Sequence, residues 1–278
     1  LVLLGLKANI QLWKFILTSL PVRSKTSQSL PENLMADDYT GSIDWDTIYN
    51  TFHHPVDVAE RIRAQLGSAK SALDSPIVFC GFPKVASLLS DHYQVLFVDS
   101  SPEMVRRTRE RYPDIHRVVH SKIETFLETD TAKTIVISGR LSAFWQSTET
   151  FQRLADAINA HSRHTVLIDY FDCKTVKPGL LAKFQAPAGD GWWRYIRCEK
   201  NREIPPMTVV DLNIGYSVGD TDVSYSTCRA YFDRNDMQAW HKKTFTNYRT
   251  TITQGLLAED PSFSVKMVLE SSAATTYS

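Results

Sequence analysis

From residue 76 onward the apolar positions fall into short, nearly unbroken runs: Pro76-Ile77-Val78-Phe79-Cys80, Gln94-Val95-Leu96-Phe97-Val98, residues 115–119, Thr134-Ile135-Val136-Ile137 and Thr165-Val166-Leu167-Ile168. Short runs rich in β-branched side chains are what strands buried on both faces require. Between them the apolar period lengthens to that of a helix, as with Phe151, Leu154, Ala155 and Ile158 across residues 149–160. Ser101-Pro102-Glu103 opens another helix, because proline is preorganised for the first turn and glutamate complements the helix dipole. Strands alternating with helices imply a doubly wound α/β fold with a mainly parallel sheet.

After residue 172 the pattern changes to longer alternation. Residues 192–197, 208–216 and 225–232 read as strands, with Gly219-Asp220 turning between the last two. Asp233 is placed to cap a helix running to about His241, and Phe263, Val265, Met267 and Leu269 alternate as a final strand. This third of the chain is antiparallel in character, giving a small β-rich insertion and an antiparallel C-terminal strand. Residues 271–278 read as a tail.

The other end carries a separate signal. Leu3, Leu6, Ile10, Trp13, Leu17 and Leu20 lie on one helical face, but Lys7 and Lys14 interrupt the run. That excludes a stable membrane span and does not fit a signal peptide, whose basic residues precede its apolar segment. A docking helix, a membrane-surface helix and translated sequence upstream of a start at Met35 remain open. Residues 1–38 are therefore read as an extension and linker, residues 39–270 as the domain.

Composition narrows the function. The 278 residues hold 31 Lys and Arg against 31 Asp and Glu, so the basic excess that phosphate binding demands is missing and nucleic acid is excluded as a partner. The four cysteines, at 80, 173, 198 and 228, show no CxxC pairing, which argues against structural zinc and fits thiols in a reducing, cytoplasmic compartment. A small-molecule enzyme is the reading that remains, with monomer and homodimer equally open.

In an open parallel sheet the ligand lies beyond the C-terminal strand ends, where strand order reverses. The telling pair there is Gly81 and Asp99, 18 residues apart at two consecutive strand ends. Glycine permits close backbone approach, and a carboxylate can accept hydrogen bonds from both hydroxyls of a ribose. A dinucleotide fits less well, since its pyrophosphate turn needs glycines where Phe82 and Pro83 stand.

With IVFCGFPKVA, VLFVDSSPEMV, VVHSKIETFL, TIVISGRLSAFW and TVLIDYFD in that order, the chain resembles the class I S-adenosylmethionine-dependent methyltransferases over about residues 39–270. The resemblance implies a Rossmann-like methyltransferase fold with S-adenosyl-L-methionine as cofactor. It puts Cys80, Gly81 and Phe82 beside the cofactor's methionine part and Asp99 on the ribose. Ser100 and Met104 would border ribose and adenine, Lys122 and Ile123 would flank the adenine, and Ser138 and Gly139 would line the pocket from the fourth strand. The first motif departs from the family: of its three usual glycines only Gly81 is kept.

Methyl transfer is an in-line displacement driven by orientation, so no universal catalytic motif is expected. Asp169, Tyr170 and Asp172 end the fifth strand. Tyr170 or Asp172 is the candidate to orient or deprotonate an acceptor, against the alternative that these residues bond to local backbone. Tyr39, Tyr49, Trp145 and Trp193 are candidates to line an acceptor pocket or face a sulfonium through cation–π attraction, against ordinary core packing. His53-His54-Pro55 follows a helix over residues 45–52 that could form a lid; the pair serves acid–base chemistry or simply ends that helix. Arg106, Arg107, Arg109 and Arg111 read as a solvated helix face, and Cys80 as a structural thiol. Methyl transfer to a small-molecule nucleophile is thus the leading expectation. Cyclisation or ring closure on the same fold, and a non-catalytic binding protein, are the alternatives.

Overall fold

A computed structural model describes residues 45–67, 75–138, 147–161, 163–176, 179–185, 193–204, 207–218, 221–257 and 262–270. The first 38 residues, Tyr39, Gly139, Trp145 and the tail from 271 lie outside the described residues.

Two helices, α1 (Trp45–Phe52) and α2 (Pro55–Leu66), precede an alternating series. It runs β1 (Ile77–Cys80), α3 (Pro83–Ser90), β2 (Val95–Asp99), α4 (Pro102–Arg111), β3 (Arg117–His120), α5 (Ile123–Thr129), β4 (Thr134–Ile137), α6 (Thr148–Ala160) and β5 (Thr165–Phe171). Four further strands follow: β6 (Gly179–Gln185), β7 (Trp193–Ile204), β8 (Met207–Val218) and β9 (Thr221–Phe232). Helix α7 (Arg234–Thr244), β10 (Tyr248–Gln254) and β11 (Ser262–Leu269) complete the described elements.

The main sheet has the order β10-β11-β5-β4-β1-β2-β3. Its five strands β1 to β5 are parallel, with Val78 opposite Leu96 on one side and Ile135 on the other. Strand β11 lies antiparallel between β5 and β10. The chain builds outward from β1 through β2 to β3, then returns to β4 on the other flank of β1. In open α/β sheets such a reversal marks the place for a ligand, here the ends of β1 and β4. Apolar side chains fill both faces of the sheet: Val78, Ile135 and Val166 on one, Phe79, Val136 and Leu167 on the other.

Strands β6 to β9 form a separate antiparallel sheet in sequential order. One face, with Met207, Val209, Ala230 and Phe232, joins the core above β5. The opposite face brings Ile196, Val210, Leu212 and Tyr231 together with Phe52, Met104 and Phe171, which belong to the crevice side of the domain. The insertion is thereby built into the core and covers the strand ends.

Three differences from the sequence expectation have physical causes. The third strand begins at Arg117, because Ile115 is drawn into a turn after Pro113, its N–H reaching the Tyr112 carbonyl at 3.2 Å. Strand β10, YRTTITQ, has too few apolar residues to announce itself and is held by its ladder to β11. The insertion strands β7 and β8 each run 12 residues, longer than their apolar stretches, because backbone pairing continues through polar segments. The helix starts were legible: Pro102 begins α4 behind the Ser101 cap, and Asp233 caps α7 by accepting from Asn235 and Asp236 N–H groups.

Candidate functional site

Strand β1 ends at Cys80, and the next residue is fixed by space. A side chain on Gly81 would bring its Cβ within 2.9 Å of the Phe79 ring and 3.3 Å of the Ser138 carbonyl carbon, so only glycine fits. The Ser138 N–H donates to the Cys80 carbonyl at 2.7 Å, tying β4's end to β1's. Ser138 is wholly buried, and its hydroxyl has no hydrogen-bond partner among the described residues.

Phe82 and Pro83 replace the flexible part of the loop. Pro83 opens α3, and the buried Phe82 ring packs 4.5 Å from Tyr49 and stacks on His53 at 5.1 Å with 13° between planes. Helix α1 is thus fixed against this loop. Its other end is held by buried Asp46, which accepts hydrogen bonds from the Tyr112 hydroxyl at 2.7 Å and from Arg111 at 3.2 Å. Tyr49 stands as an aromatic wall of the loop, and the exposed His54 precedes α2.

Asp99 closes β2. Its Oδ1 accepts the Ser101 N–H at 2.7 Å, which orients the carboxylate; Oδ2 accepts no hydrogen bond among the described residues. Burial pushes the Asp99 pKa up to about 6, against the opposing pull of the Ser101 N–H and of His120. His120 is Asp99's ladder partner on β3, with Nε2 3.0 Å from the Ser100 carbonyl. Ser100 is exposed, Met104 is buried beneath the insertion, exposed Lys122 precedes α5, and Ile123 is buried at its first turn.

Sequence reasoning missed two of these groups. His120 ends β3 as the ladder partner of Asp99. Glu124, in the first turn of α5, is 8% exposed, and its charge bears on the Cys80 thiol.

The catalytic candidates on β5 are not brought to the crevice. Tyr170 is fully buried among Phe151, Phe232 and Phe263, and its hydroxyl lies 3.0 Å from His241 Nε2. Burial drives its pKa well above the usual phenol value and lowers that of His241 to about 3. The neutral imidazole accepts a hydrogen bond from the Tyr170 hydroxyl at Nε2 and directs Nδ1–H at the Met267 sulfur, 3.2 Å away. Asp169, also buried, accepts from Leu256 N–H and the Ser264 hydroxyl, which ties β5 to the β10–β11 hairpin. Asp172 caps the turn at Cys173–Thr175 by accepting the Lys174 N–H at 2.9 Å. The Tyr170 hydroxyl is thus engaged with His241 in the core, and Asp172 with local backbone. Trp193 is half-buried at the start of β7, between the ladder partners Gln185 and Ser217. Tyr170→Phe is expected to lower stability by about 1–3 kcal/mol, by stranding the His241 acceptor, while cofactor affinity stays unchanged. Thermal melting and a binding titration check both halves.

The other charged candidates behave as a solvated face: Arg106 bridges Glu103 and Glu110 at 2.7 Å each, on the surface of α4. Burial, then the charges of Asp99 and Glu124, hold the Cys80 thiol protonated. Among the described residues there is no cluster of three or more His, Cys, Asp or Glu suited to a metal, and no helix long and apolar enough to cross a membrane.

The chain matches no protein-family model and no curated protein. Solved structures do match its fold. An S-adenosylmethionine-dependent methyltransferase from Clostridium acetobutylicum aligns with a TM-score of 0.61 at 10% identity, over 82% of this chain and 98% of its own. DesVI from Streptomyces venezuelae gives a TM-score of 0.59 at 14% identity, over 81% and 97%. CalS10, an amino pentose methyltransferase from Micromonospora echinaspora solved with S-adenosylmethionine bound, gives 0.59 at 15% identity, over 82% and 98%. With five parallel strands, the reversal at β1 and the antiparallel β11, the chain has the class I S-adenosylmethionine-dependent methyltransferase fold.

Proposed function

We propose that the protein binds S-adenosylmethionine at the ends of β1, β2 and β4 and transfers its methyl group to a small-molecule nucleophile. The observation that carries this reading is the oriented Asp99 carboxylate at the end of β2, with one oxygen held by Ser101 and the other available to a ribose diol. Ser138 supplies a hydroxyl in need of a partner, and Ile123 an apolar surface for the purine. The bound cofactor supplies an electrophilic methyl carbon. The acceptor's lone pair forms the new bond as the carbon–sulfur bond breaks, the electron pair staying on sulfur and the acceptor's proton passing to base or water. The chain's contribution is orientation and exclusion of water, under α1 and the insertion sheet.

The balanced charge supports a small acceptor, as does the likeness to an amino pentose methyltransferase. No disulfide joins the four cysteines, in keeping with a cytoplasmic place. A calorimetric titration with S-adenosylmethionine and S-adenosylhomocysteine tests the reading: saturable binding of both is expected, and no binding at millimolar ligand overturns it.

The packed Phe82–His53–Tyr49 stack, standing where the family keeps flexible glycines, favours a second reading. In it the same cofactor reacts within itself, the aminobutyryl chain closing as methylthioadenosine leaves. Product analysis separates the two: S-adenosylhomocysteine accumulates in transfer and methylthioadenosine in cyclisation.

A further inference from the structure

The main sheet ends in two edge strands, and only one of them is blunted. Strand β3 is four residues long, begins and ends on exposed Arg117 and His120, and has its Val118 carbonyl occupied by the Arg109 guanidinium at 2.9 Å. In the insertion sheet, β6 breaks register with β7 between Leu180 and Ala182, the kind of irregularity that turns an edge away. Strand β10 has none of these devices. It pairs with β11 through all seven residues without a shift, contains no proline, and carries one charge, Arg249. The Glu270 N–H donates to the Asn247 carbonyl at 2.9 Å and the Gly255 N–H to the Ser262 carbonyl at 3.2 Å, so the odd-numbered residues direct their peptide groups at β11. The even-numbered Thr250, Ile252 and Gln254 turn theirs to the open side, where no described strand lies. Arg249, Thr251 and Gln254 are exposed.

An open edge rich in β-branched residues is a template for another strand. We propose that this edge is filled by β10 of a second copy of the chain, antiparallel about a two-fold axis at Thr251. The sequence YRTTITQ fits itself in that arrangement. Thr250 exchanges its two peptide hydrogen bonds with the partner's Ile252, and Ile252 with the partner's Thr250. Tyr248 lies opposite the partner's Gln254 and Arg249 opposite the partner's Thr253, so no like charges meet. Thr251 faces the partner's Thr251 across a non-hydrogen-bonded pair, where side chains approach most closely. A charged partner strand would find only Arg249 to match, whereas a second copy matches every position of the edge. The interface is self-complementary, and the two sheets join into one. Strands β11 and β5 separate β10 from β4, so the pairing leaves the candidate site open and is independent of the cofactor reading.

Sedimentation of the full chain tests this. The unaltered protein is expected to form a dimer at concentrations up to about 100 μM. Thr251→Lys sets two ammonium groups opposite each other at an exposed position. It is expected to raise the dimer dissociation constant by about tenfold without lowering the melting temperature of the monomer. Thr251→Glu should do the same alone, and an equimolar mixture of the two variants should dimerise again, because opposite charges then meet. A monomeric unaltered protein overturns the proposal. So does a Thr251→Lys variant as dimeric as the unaltered chain, which would place the interface elsewhere, and so does a mixture that stays monomeric. Should a charged variant melt early, cysteine gives a second reading. With oxidised glutathione as the oxidant, Thr251→Cys is expected to yield a disulfide-linked dimer, two thiols being oxidised as the glutathione is reduced, because the residue meets its own copy. Arg249→Cys, opposite the partner's Thr253, is expected to yield none. Equal cross-linking of the two variants, or none by Thr251→Cys, overturns the assignment.

Discussion

Asp99→Ala is expected to weaken S-adenosylmethionine binding by at least about tenfold in a protein that remains folded. The carboxylate is positioned before any ligand arrives, since the Ser101 N–H fixes Oδ1 at 2.7 Å and leaves Oδ2 available. Hydrogen bonds to a charged acceptor contribute roughly 1.5–3 kcal/mol each, and about 1.4 kcal/mol is one decade of affinity. Losing the Ser101 contact costs about 1 kcal/mol of stability, which a domain of this size survives. Asp99→Asn should do less damage, because an acceptor remains but the charge is gone.

The same residue sets a pH dependence. Burial raises its pKa to about 6 in the ligand-free protein. Ribose hydroxyls bond to the ionised form and so lower the pKa in the complex. Binding therefore requires release of a proton below pH about 6, and affinity is expected to fall as pH drops through that value and to level off above it. Titrations between pH 5 and 8 should show this slope in the unaltered protein and lose it in Asp99→Asn. An unchanged affinity in folded Asp99→Ala would mean that the ribose is not where the strand ends place it.

What could be read from the sequence was whatever depends on local pattern. Four of the five parallel strands, β1, β2, β4 and β5, announce themselves because burial on both faces leaves few polar residues in them; β1 and β4 are buried at every position, whereas the edge strand β3, RVVH, is nowhere fully buried. Strand β10 alternates buried and exposed residues and is half threonine and polar neighbours, so its existence depends on β11, which lies farther along the chain. The site divides in the same way. Gly81 and Asp99 were identifiable because they end consecutive strands. Asp169 and Tyr170 end a strand too, but partners 71 to 95 residues away claim them, namely His241 for Tyr170, and Leu256 and Ser264 for Asp169. A strand end faces the crevice only where the sheet stops, and β5 runs on to Phe171, beneath Tyr231 stacked at 4.7 Å. Glu124 was hidden for the opposite reason: an acid in a first turn is unremarkable until its burial is known.

Arg163 carried no signal at all, and its replacement by alanine is expected to be the most damaging single change to stability. It lies between α6 and β5 with no exposed surface. Nη1 donates to the Ala132 carbonyl at 2.6 Å, and Nη2 donates to the carbonyls of Leu127, at 2.9 Å, and of Asp130. The Asp130 carboxylate stands 3.5 Å away. One guanidinium thus terminates α5 and fixes the approach to β4. Burial lowers its pKa and the Asp130 charge opposes that shift. Alanine would strand three inward carbonyls at once and take the countercharge from Asp130, whose Oδ1 keeps the Ala132 N–H. Each buried group left unpaired costs about 1–3 kcal/mol, and the overlapping losses should total about 3–5 kcal/mol. For a domain of this size that corresponds to a melting temperature lower by on the order of 10 °C. Lysine should rescue little, since a single ammonium on a flexible stem cannot reach the carbonyls that the planar fork spans. Because α5 carries Glu124 at its other end, a frayed helix should also loosen the crevice: in Arg163→Ala, affinity for S-adenosylmethionine should fall more steeply with temperature than in the unaltered protein. A melting temperature within two degrees of the unaltered protein would show that water replaces the guanidinium at those carbonyls, and that α5 is held by its apolar face alone.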